Sequence, residues 1–252
     1  MNYDTETRYA RQISLAEIGE VGQIKLNKAR VLIIGAGGLG CPNALYLAAA
    51  GVGHIGIIDA DRVSLSNLQR QILYETADIG RPKTAAAGDR LQELNPDITL
   101  ELIPEALTAS NAEALFARYD IIADGCDDVE TRQCVNRHAL KAKKPLVSAA
   151  IQGFQGQLAV FTPYSSATSP CYHCLYPEIT DSSAMPDCNA AGILGAAAGV
   201  MGTLQAVEII NLITNIGAPL THTLLRYDAL NALTHHSKIL KDPHCAVCNK
   251  AT

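Results

Sequence analysis

The sequence predicts an α/β protein: a mostly parallel sheet with helices on both faces, extended on one side by antiparallel strands. Two patterns carry that reading. As far as Ala150, short apolar runs alternate with stretches of helical periodicity, and strands joined through such helices need right-handed crossovers and parallel pairing. Beyond Ala150, strand-like runs gather around one long apolar segment, as in an antiparallel extension of the same sheet.

Each element has its own justification. Arg30–Ile34 (RVLII) is an apolar, β-branched run and the first strand; Leu39–Ala50 is a helix and Ile55–Ile58 (IGII) the second strand. Pro82–Leu94 is a helix with proline at its start and Asn95-Pro96 as its stop. Ile98–Ile103 is a strand, Ser110–Arg118 a helix, Asp120–Ala123 a strand, Val129–Lys141 a helix and Pro145–Ala149 a strand. Gly156–Phe161, Thr223–Tyr227 and Ala232–Ile239 are the antiparallel strands, with a loop over Pro163–Asn189.

Composition narrows the function. At 48% hydrophobic and 18% charged residues the chain is globular, and a net charge of −5 argues against nucleic acid as a partner. MNYDTETRYARQ lacks the apolar stretch of a secretory signal, so a cytoplasmic location is expected. Residues 190–207 carry no charge and reach bilayer-spanning length. Their alanine and glycine content, the nearby Glu208 and the lack of flanking basic residues favour a buried helix over a membrane span. Gly192, Gly195, Gly199 and Gly202 are expected to form one stripe where another element approaches closely.

The chemistry begins at Gly35-Ala36-Gly37-Gly38-Leu39-Gly40, a GxGxxG turn between a strand and a helix. Such glycines bring backbone N–H groups up to a phosphate at the positive helix end, as in Rossmann-like sheets. Asp59, nineteen residues after Gly40 and at the tip of the second strand, suits a ribose hydroxyl. This fingerprint serves NAD or FAD as readily as ATP. Residues from Asp61 through Asn67, Arg70 and Gln71 add amides and a cation, and Lys83 adds a second cation in the first turn of a helix. An unpaired cation there opposes the macrodipole and implies an anion, and two cations suit a triphosphate. Asp127 and Asp128 follow the fourth strand; Asp128 suits an N-cap and Asp127 a Mg²⁺ ion on the phosphates.

Eight cysteines fall at 41, 126, 134, 171, 174, 188, 245 and 248. Cys171/Cys174 and Cys245/Cys248 are two CxxC pairs, enough for a closed, structural Cys₄ zinc site; redox chemistry at one pair is the rival. Cys188 precedes the apolar helix, whose dipole favours a thiolate, whereas the adjacent Asp187 opposes it. Cys41, Cys126 and Cys134 read as packing residues.

Taken together, RYARQ (Arg8–Gln12), GAGGLG, DADRVSLSNLQRQIL (Asp59–Leu73), GRPK (Gly80–Lys83), the acidic turn Asp124–Asp128 and the two CxxC pairs resemble the ThiF/MoeB/HesA family, bacterial relatives of ubiquitin-activating enzymes. The resemblance implies one adenylation unit over residues 1–252, with a nucleotide-binding half (1–150) and a carrier-binding half with the zinc site (151–252). It implies an adenylyltransferase that uses ATP, Mg²⁺ and structural Zn²⁺ to activate the C-terminal glycine of a small ubiquitin-like sulfur carrier ending in Gly-Gly. Gly35, Gly37, Gly38, Gly40, Asp59 and Asp61 would hold the nucleoside and phosphate backbone. Asn67, Arg70, Gln71 and Lys83 would hold the phosphates, with Asp127 on Mg²⁺. Arg11 would enter the active site of the other subunit of a homodimer, and Cys188 would trap the activated carrier or receive sulfur from a donor enzyme in the thiamine branch but be dispensable in the molybdopterin branch. The family's usual Asp-Cys-Thr-Asp-Asn turn reads Asp-Gly-Cys-Asp-Asp here. QGFQGQLAVFTP (Gln152–Pro163) and CLYP (Cys174–Pro177) resemble the thiamine branch, whose carrier is ThiS, more than the molybdopterin one. A nicotinamide or flavin oxidoreductase and a non-catalytic zinc module are the alternatives.

Overall fold

The computed structural model describes residues 3–177 and 192–249. In chain order the elements are α1 (Tyr3–Ile13), α2 (Gly19–Lys28), β1 (Arg30–Ile34), α3 (Gly40–Ala49), β2 (His54–Ile58), α4 (Lys83–Leu94), β3 (Thr99–Ile103), α5 (Ala109–Phe116), β4 (Ile121–Asp124), α6 (Val129–Lys141), β5 (Leu146–Gln152), β6 (Gln155–Phe161), the single-turn α7 (Tyr172–Leu175), α8 (Gly195–Thr214), β7 (Thr223–Asp228) and β8 (Leu233–Lys238). The strands form one eight-stranded sheet in the order β3-β2-β1-β4-β5-β6-β7-β8. Strands β1 to β5 pair in parallel, and β6, β7 and β8 continue the sheet antiparallel. The α/β class read from the sequence holds.

The period-two geometry of a strand explains the layers. On β1, Val31 and Ile33 enter one core with Leu26, Leu47, Leu91 and Met201, whereas Leu32 and Ile34 enter a second with Phe116, Tyr119 and Val135. A strand buried on both faces must be apolar throughout, which is why RVLII shows no alternation. Each large aliphatic side chain buried this way contributes roughly 1.5–3 kcal/mol.

From β1 the chain winds outward through β2 to β3, then returns to β4 on the other side of β1. That reversal opens a crevice at the carboxyl ends of β1 and β4, where open α/β sheets bind ligands. Gly35 ends β1 at φ +88°, and a Cβ there would lie 3.4 Å from the Gly125 carbonyl oxygen just beyond β4. The two loops are therefore nearly in contact.

Helix α8 packs against α3, α2 and strands β4 to β6. It is the one helix among the described residues long and apolar enough to cross a bilayer, yet Ala197, Met201, Gln205 and Ile209 bury one of its faces in the fold. The expected glycine stripe needs correction. A Cβ at Gly195 would lie 2.2 Å from the Gln69 carbonyl oxygen and one at Gly202 2.3 Å from that of Leu39, so these two carry the close approach. Gly199 has nothing within 4 Å, and Gly192 lies before the helix. Gln205 is a polar residue on the buried face: its Nε2 donates to the carbonyls of Asp124 (2.9 Å) and Val147 (2.8 Å), and its Oε1 accepts from Asn43 (2.9 Å). This ties α8 to the ends of β4 and β5 and to α3.

Helices α1 and α2 extend the fold beyond the elements read from the sequence. Tyr9 anchors α1: its hydroxyl accepts from Asn95 Nδ2 at 2.7 Å, and its ring leaves no room for a side chain at Gly51, where a Cβ would come within 2.5 Å.

Candidate nucleotide pocket and cysteine cluster

A cavity of about 580 Å³ occupies the crevice, within the size range of small-molecule sites. One end is lined by Gly35, Gly37, Gly38, Asp59, Asp61, Arg70, Gln71, Lys83 and Asp127; the other runs along β5 and β6 past Ile151, Gln155 and Gln157 to Tyr176 and Ile193. The pocket thus joins the sheet's parallel half to its antiparallel half.

The glycine turn is shaped from within. A Cβ on Gly40 would fall 1.9 Å from the Gly35 carbonyl oxygen, so the turn closes only without one. Gly37 faces the cavity, and its added Cβ would meet only Gln71 Nε2, at 3.7 Å. Helix α3 starts here with no side-chain cap and no acidic residue in its first turn, but Cys41 N already donates to the Gly37 carbonyl (2.9 Å) and Pro42 has no N–H, so an anion would have to be met by the N–H groups of the preceding turn. Asp59 braces the turn: its Oδ2 accepts from Ala36 N at 2.7 Å and its Oδ1 from Asp61 N at 2.8 Å.

The two cations differ. Arg70 is half-buried, donates to the Ser66 carbonyl at 3.0 Å and lays its aliphatic stem beside Gly38. Lys83 is buried, and its Nζ lies 2.8 Å from Asp61 Oδ2 and 4.0 Å from Asp59 Oδ2. It is therefore paired, contrary to the unpaired cation read from the sequence. A buried ammonium needs a counter-charge, and Asp61, with its side chain 71% exposed, supplies one. Gln71 Oε1 is a buried acceptor without a partner in the structure. An orphaned amide at the cavity wall is what a ligand donor would satisfy.

Asn67 lies outside the cavity lining and folds its Oδ1 onto Ser64 N at 3.3 Å, capping a short 3₁₀ turn over Leu65–Asn67. Gly40 is internal to the turn, and Arg11 is exposed near the end of α1, away from this chain's cavity. Asp128 caps α6, accepting from Thr131 N at 2.7 Å, which leaves Asp127 exposed at the cavity. Cys188 lies outside the described residues.

Beneath Asp127 is a buried network that the sequence reading missed. Asp124 accepts from Ser148 Oγ (2.8 Å), Arg132 Nη1 (3.1 Å) and Cys126 N (2.9 Å). The signal was present, an arginine eight positions after an acid at a strand end, but nothing in the helical pattern said that it faces inward.

At the far side, Cys171, Cys174, Cys245 and Cys248 bring their sulfurs within 4.8 Å of one another. The Sγ separations are 3.8 Å (Cys171–Cys174), 3.7 Å (Cys171–Cys245) and 3.5 Å (Cys174–Cys248). Metal–sulfur bonds of about 2.3 Å in a tetrahedron place sulfurs about 3.8 Å apart, so the donor set fits a four-coordinate thiophilic ion. Burial pushes the Cys171 thiol up to about 12. Cys41, Cys126 and Cys134 stand apart from this cluster as free thiols, the first two buried.

Comparison with known proteins agrees with this architecture. The chain is 44% identical over 243 residues to a sulfur carrier protein adenylyltransferase of Thermus thermophilus, covering 96% of this chain and 90% of that one. It is 44% identical over 252 residues to the adenylyltransferase and sulfurtransferase MOCS3 of Anopheles gambiae, and 43% over 242 residues to that of Arabidopsis thaliana. It covers only 56% and 52% of those two proteins, about half their length. Among solved structures, E. coli MccB with MccA-N7isoAsn superimposes with a TM-score of 0.83 at 24% identity, over 96% of this chain and 74% of that one, and PaaA with 0.80 at 23%, over 96% and 76%; these share the fold. The model of the ThiF family matches residues 9–247, and the chain belongs to that family.

Proposed function

We propose that the protein is an adenylyltransferase that activates the C-terminal carboxylate of a small ubiquitin-like sulfur carrier ending in Gly-Gly. One observation carries the reading: a single cavity has glycine-loop N–H groups, Arg70 and Lys83 at one end and a trough along β5 and β6 at the other. That shape suits ATP at one end and an extended peptide tail entering from the other. The Thermus relative, matched over 90% of its length, carries the corresponding name.

The chemistry asks for alignment more than for proton transfer. A C-terminal carboxylate, with a pKa of ~3.5, is already ionised at neutral pH. One of its oxygens attacks the α-phosphorus of ATP in line, the bond to the bridging oxygen breaks, and pyrophosphate leaves with its electron pair. Gly37 and Gly38 offer backbone N–H groups to the phosphates, Gly35 shapes the turn with its own N–H held by the Ile58 carbonyl, and Asp59 accepts from the ribose. Arg70, Gln71 and Lys83 hold the phosphates and neutralise the charge gathering on pyrophosphate. Lys83 would exchange the exposed Asp61 for a phosphate oxygen. Asp127 is the residue that would hold Mg²⁺, which supplies further charge neutralisation. The four-cysteine cluster is assigned to structural Zn²⁺. Arg11, exposed on this chain, is assigned to the partner's pocket in a homodimer, and Cys188 to trapping the activated carrier, with AMP leaving, or to receiving sulfur from a donor enzyme.

The carrier itself is proposed to be the thiamine-branch protein ThiS, on the strength of the QGFQGQLAVFTP and CLYP blocks; two of the relatives are MOCS3 proteins, which makes a molybdopterin-branch carrier the second reading. ATP–pyrophosphate exchange with each carrier separates them. Exchange is expected only with a carrier bearing a free Gly-Gly end, and its loss in Arg70→Ala and Lys83→Ala without loss of fold is the supporting result. Exchange at the wild-type rate in either variant would remove this active site.

A further inference from the structure

We propose that Arg132 is the positioning residue that fixes the Asp127 turn against the strand lining the carboxylate end of the cavity. The inference rests on the reading of Asp127 as the Mg²⁺ residue.

Asp127 sits in the turn between β4 and α6, exposed, with Gly125 and Cys126 before it and the α6 cap Asp128 after it. A glycine-containing turn has no intrinsic reason to hold one conformation, and a metal residue must be held within a fraction of an ångström. Arg132, buried on α6, spans the turn from below. Its Nη2 donates to the Cys126 carbonyl, immediately before Asp127, and to the Ala149 carbonyl on β5 at 2.8 Å. Its Nη1 donates to Asp124 Oδ2 at 3.1 Å and to Ser148 Oγ at 3.2 Å. Asp124, at 1% exposure, grips the other side of the turn through Cys126 N. Cys126, the residue before Asp127, is thus held at its N–H by Asp124 and at its carbonyl by Arg132.

β5 continues through Ala150 and Ile151 into the cavity wall. One planar guanidinium therefore sets the distance between the metal-bearing turn and the trough where the carboxylate would lie. Only a fork with fixed geometry can do this; an ammonium has three donors and no plane.

The test uses Arg132→Lys, which keeps a charge beside Asp124 but loses the fork, Ser148→Ala, which removes one neutral partner, and Asp127→Asn. Each is examined by thermal melting and by Mn²⁺ electron paramagnetic resonance with a non-hydrolysable ATP analogue, alongside analogue binding without metal. Disturbing a residue that orients a metal ligand weakens the metal by about 10–100-fold. In folded Arg132→Lys, Mn²⁺ affinity is expected to fall by about that factor while metal-free analogue binding stays unchanged, with a smaller fall in Ser148→Ala. Should Arg132→Lys fail to fold, Ser148→Ala carries the same readout. Wild-type Mn²⁺ affinity in the folded variant overturns the positioning role, provided Asp127→Asn weakens the metal. Wild-type Mn²⁺ affinity in Asp127→Asn instead overturns the metal assignment beneath it.

Discussion

Removing the metal proposed for the four-cysteine cluster is expected to destabilise far more than the segment around Cys245 and Cys248. Cys171 and Cys245 are 74 positions apart, and the segment between them contains α8, β7 and β8. A cross-link closing a loop of that length removes about 4 kcal/mol of unfolded-chain entropy in the chain-entropy treatment. For a chain of this size, 1 kcal/mol moves the melting temperature by roughly 2–4 °C, so the loss is about 8–16 °C. Because α8 packs on α3 and on β4 to β6, slackening this loop is felt at the centre of the sheet. The assay is thermal melting with and without a strong zinc chelator, with bound metal quantified by elemental analysis and Cys248→Ser as the genetic equivalent. A melting temperature unmoved by complete metal removal, or by zinc added to metal-free protein, refutes the reasoning.

Other perturbations separate fold from ligand. Gly40→Ala drives a Cβ to 1.9 Å from a backbone oxygen and is expected to lower both melting temperature and ATP affinity. Gly37→Ala, whose Cβ would meet only Gln71 Nε2 at 3.7 Å, is expected to melt like the wild type but bind nucleotide weakly in a titration; normal binding would remove the phosphate loop assignment. His54 is held below the ordinary imidazole range by burial and then by the Arg30 charge, against the pull of Glu101. Its contribution to stability is present above the unfolded value of ~6.5 and is lost as pH falls through the lower folded value. The wild type should therefore lose melting temperature more steeply than His54→Asn as pH falls from ~6.5 toward that lower folded value, and parallel pH profiles would contradict this. Glu208, half-buried in α8, is raised by burial, so its ionisation above ~4.5 costs stability. Glu208→Gln is expected to melt higher at neutral pH, and a lower melting temperature would argue against that cost.

Much of the candidate site was legible because its residues fall in a few short motifs. GxGxxG after RVLII left one backbone solution, and Lys83 opens α4 where the Pro82 signal put it. The two CxxC pairs carried their own geometry, since each clamps one edge of a tetrahedron. What stayed hidden depends on side-chain direction across long separations. Nothing in the local pattern of VETRQCVN marks Arg132 as the inward-facing cation, because its partners Asp124, Ser148 and Ala149 come from two other elements. The pairing of Lys83 with Asp61 crosses 22 positions and the 3₁₀ turns between them. Helix α1 escaped because it is largely polar, and its ties to the fold, Tyr9 docked on Asn95 and Gln12 bonded to Gln23 and the Ala50 carbonyl, span long separations.

The most direct measurement is a crystal structure of the protein with a non-hydrolysable ATP analogue and Mg²⁺. The account predicts phosphate oxygens within hydrogen-bonding distance of Arg70 and Lys83, the ribose on Asp59, and the α-phosphate open toward the trough along β5 and β6. A nucleotide bound elsewhere, or one whose phosphates leave Lys83 still paired with Asp61, would contradict it.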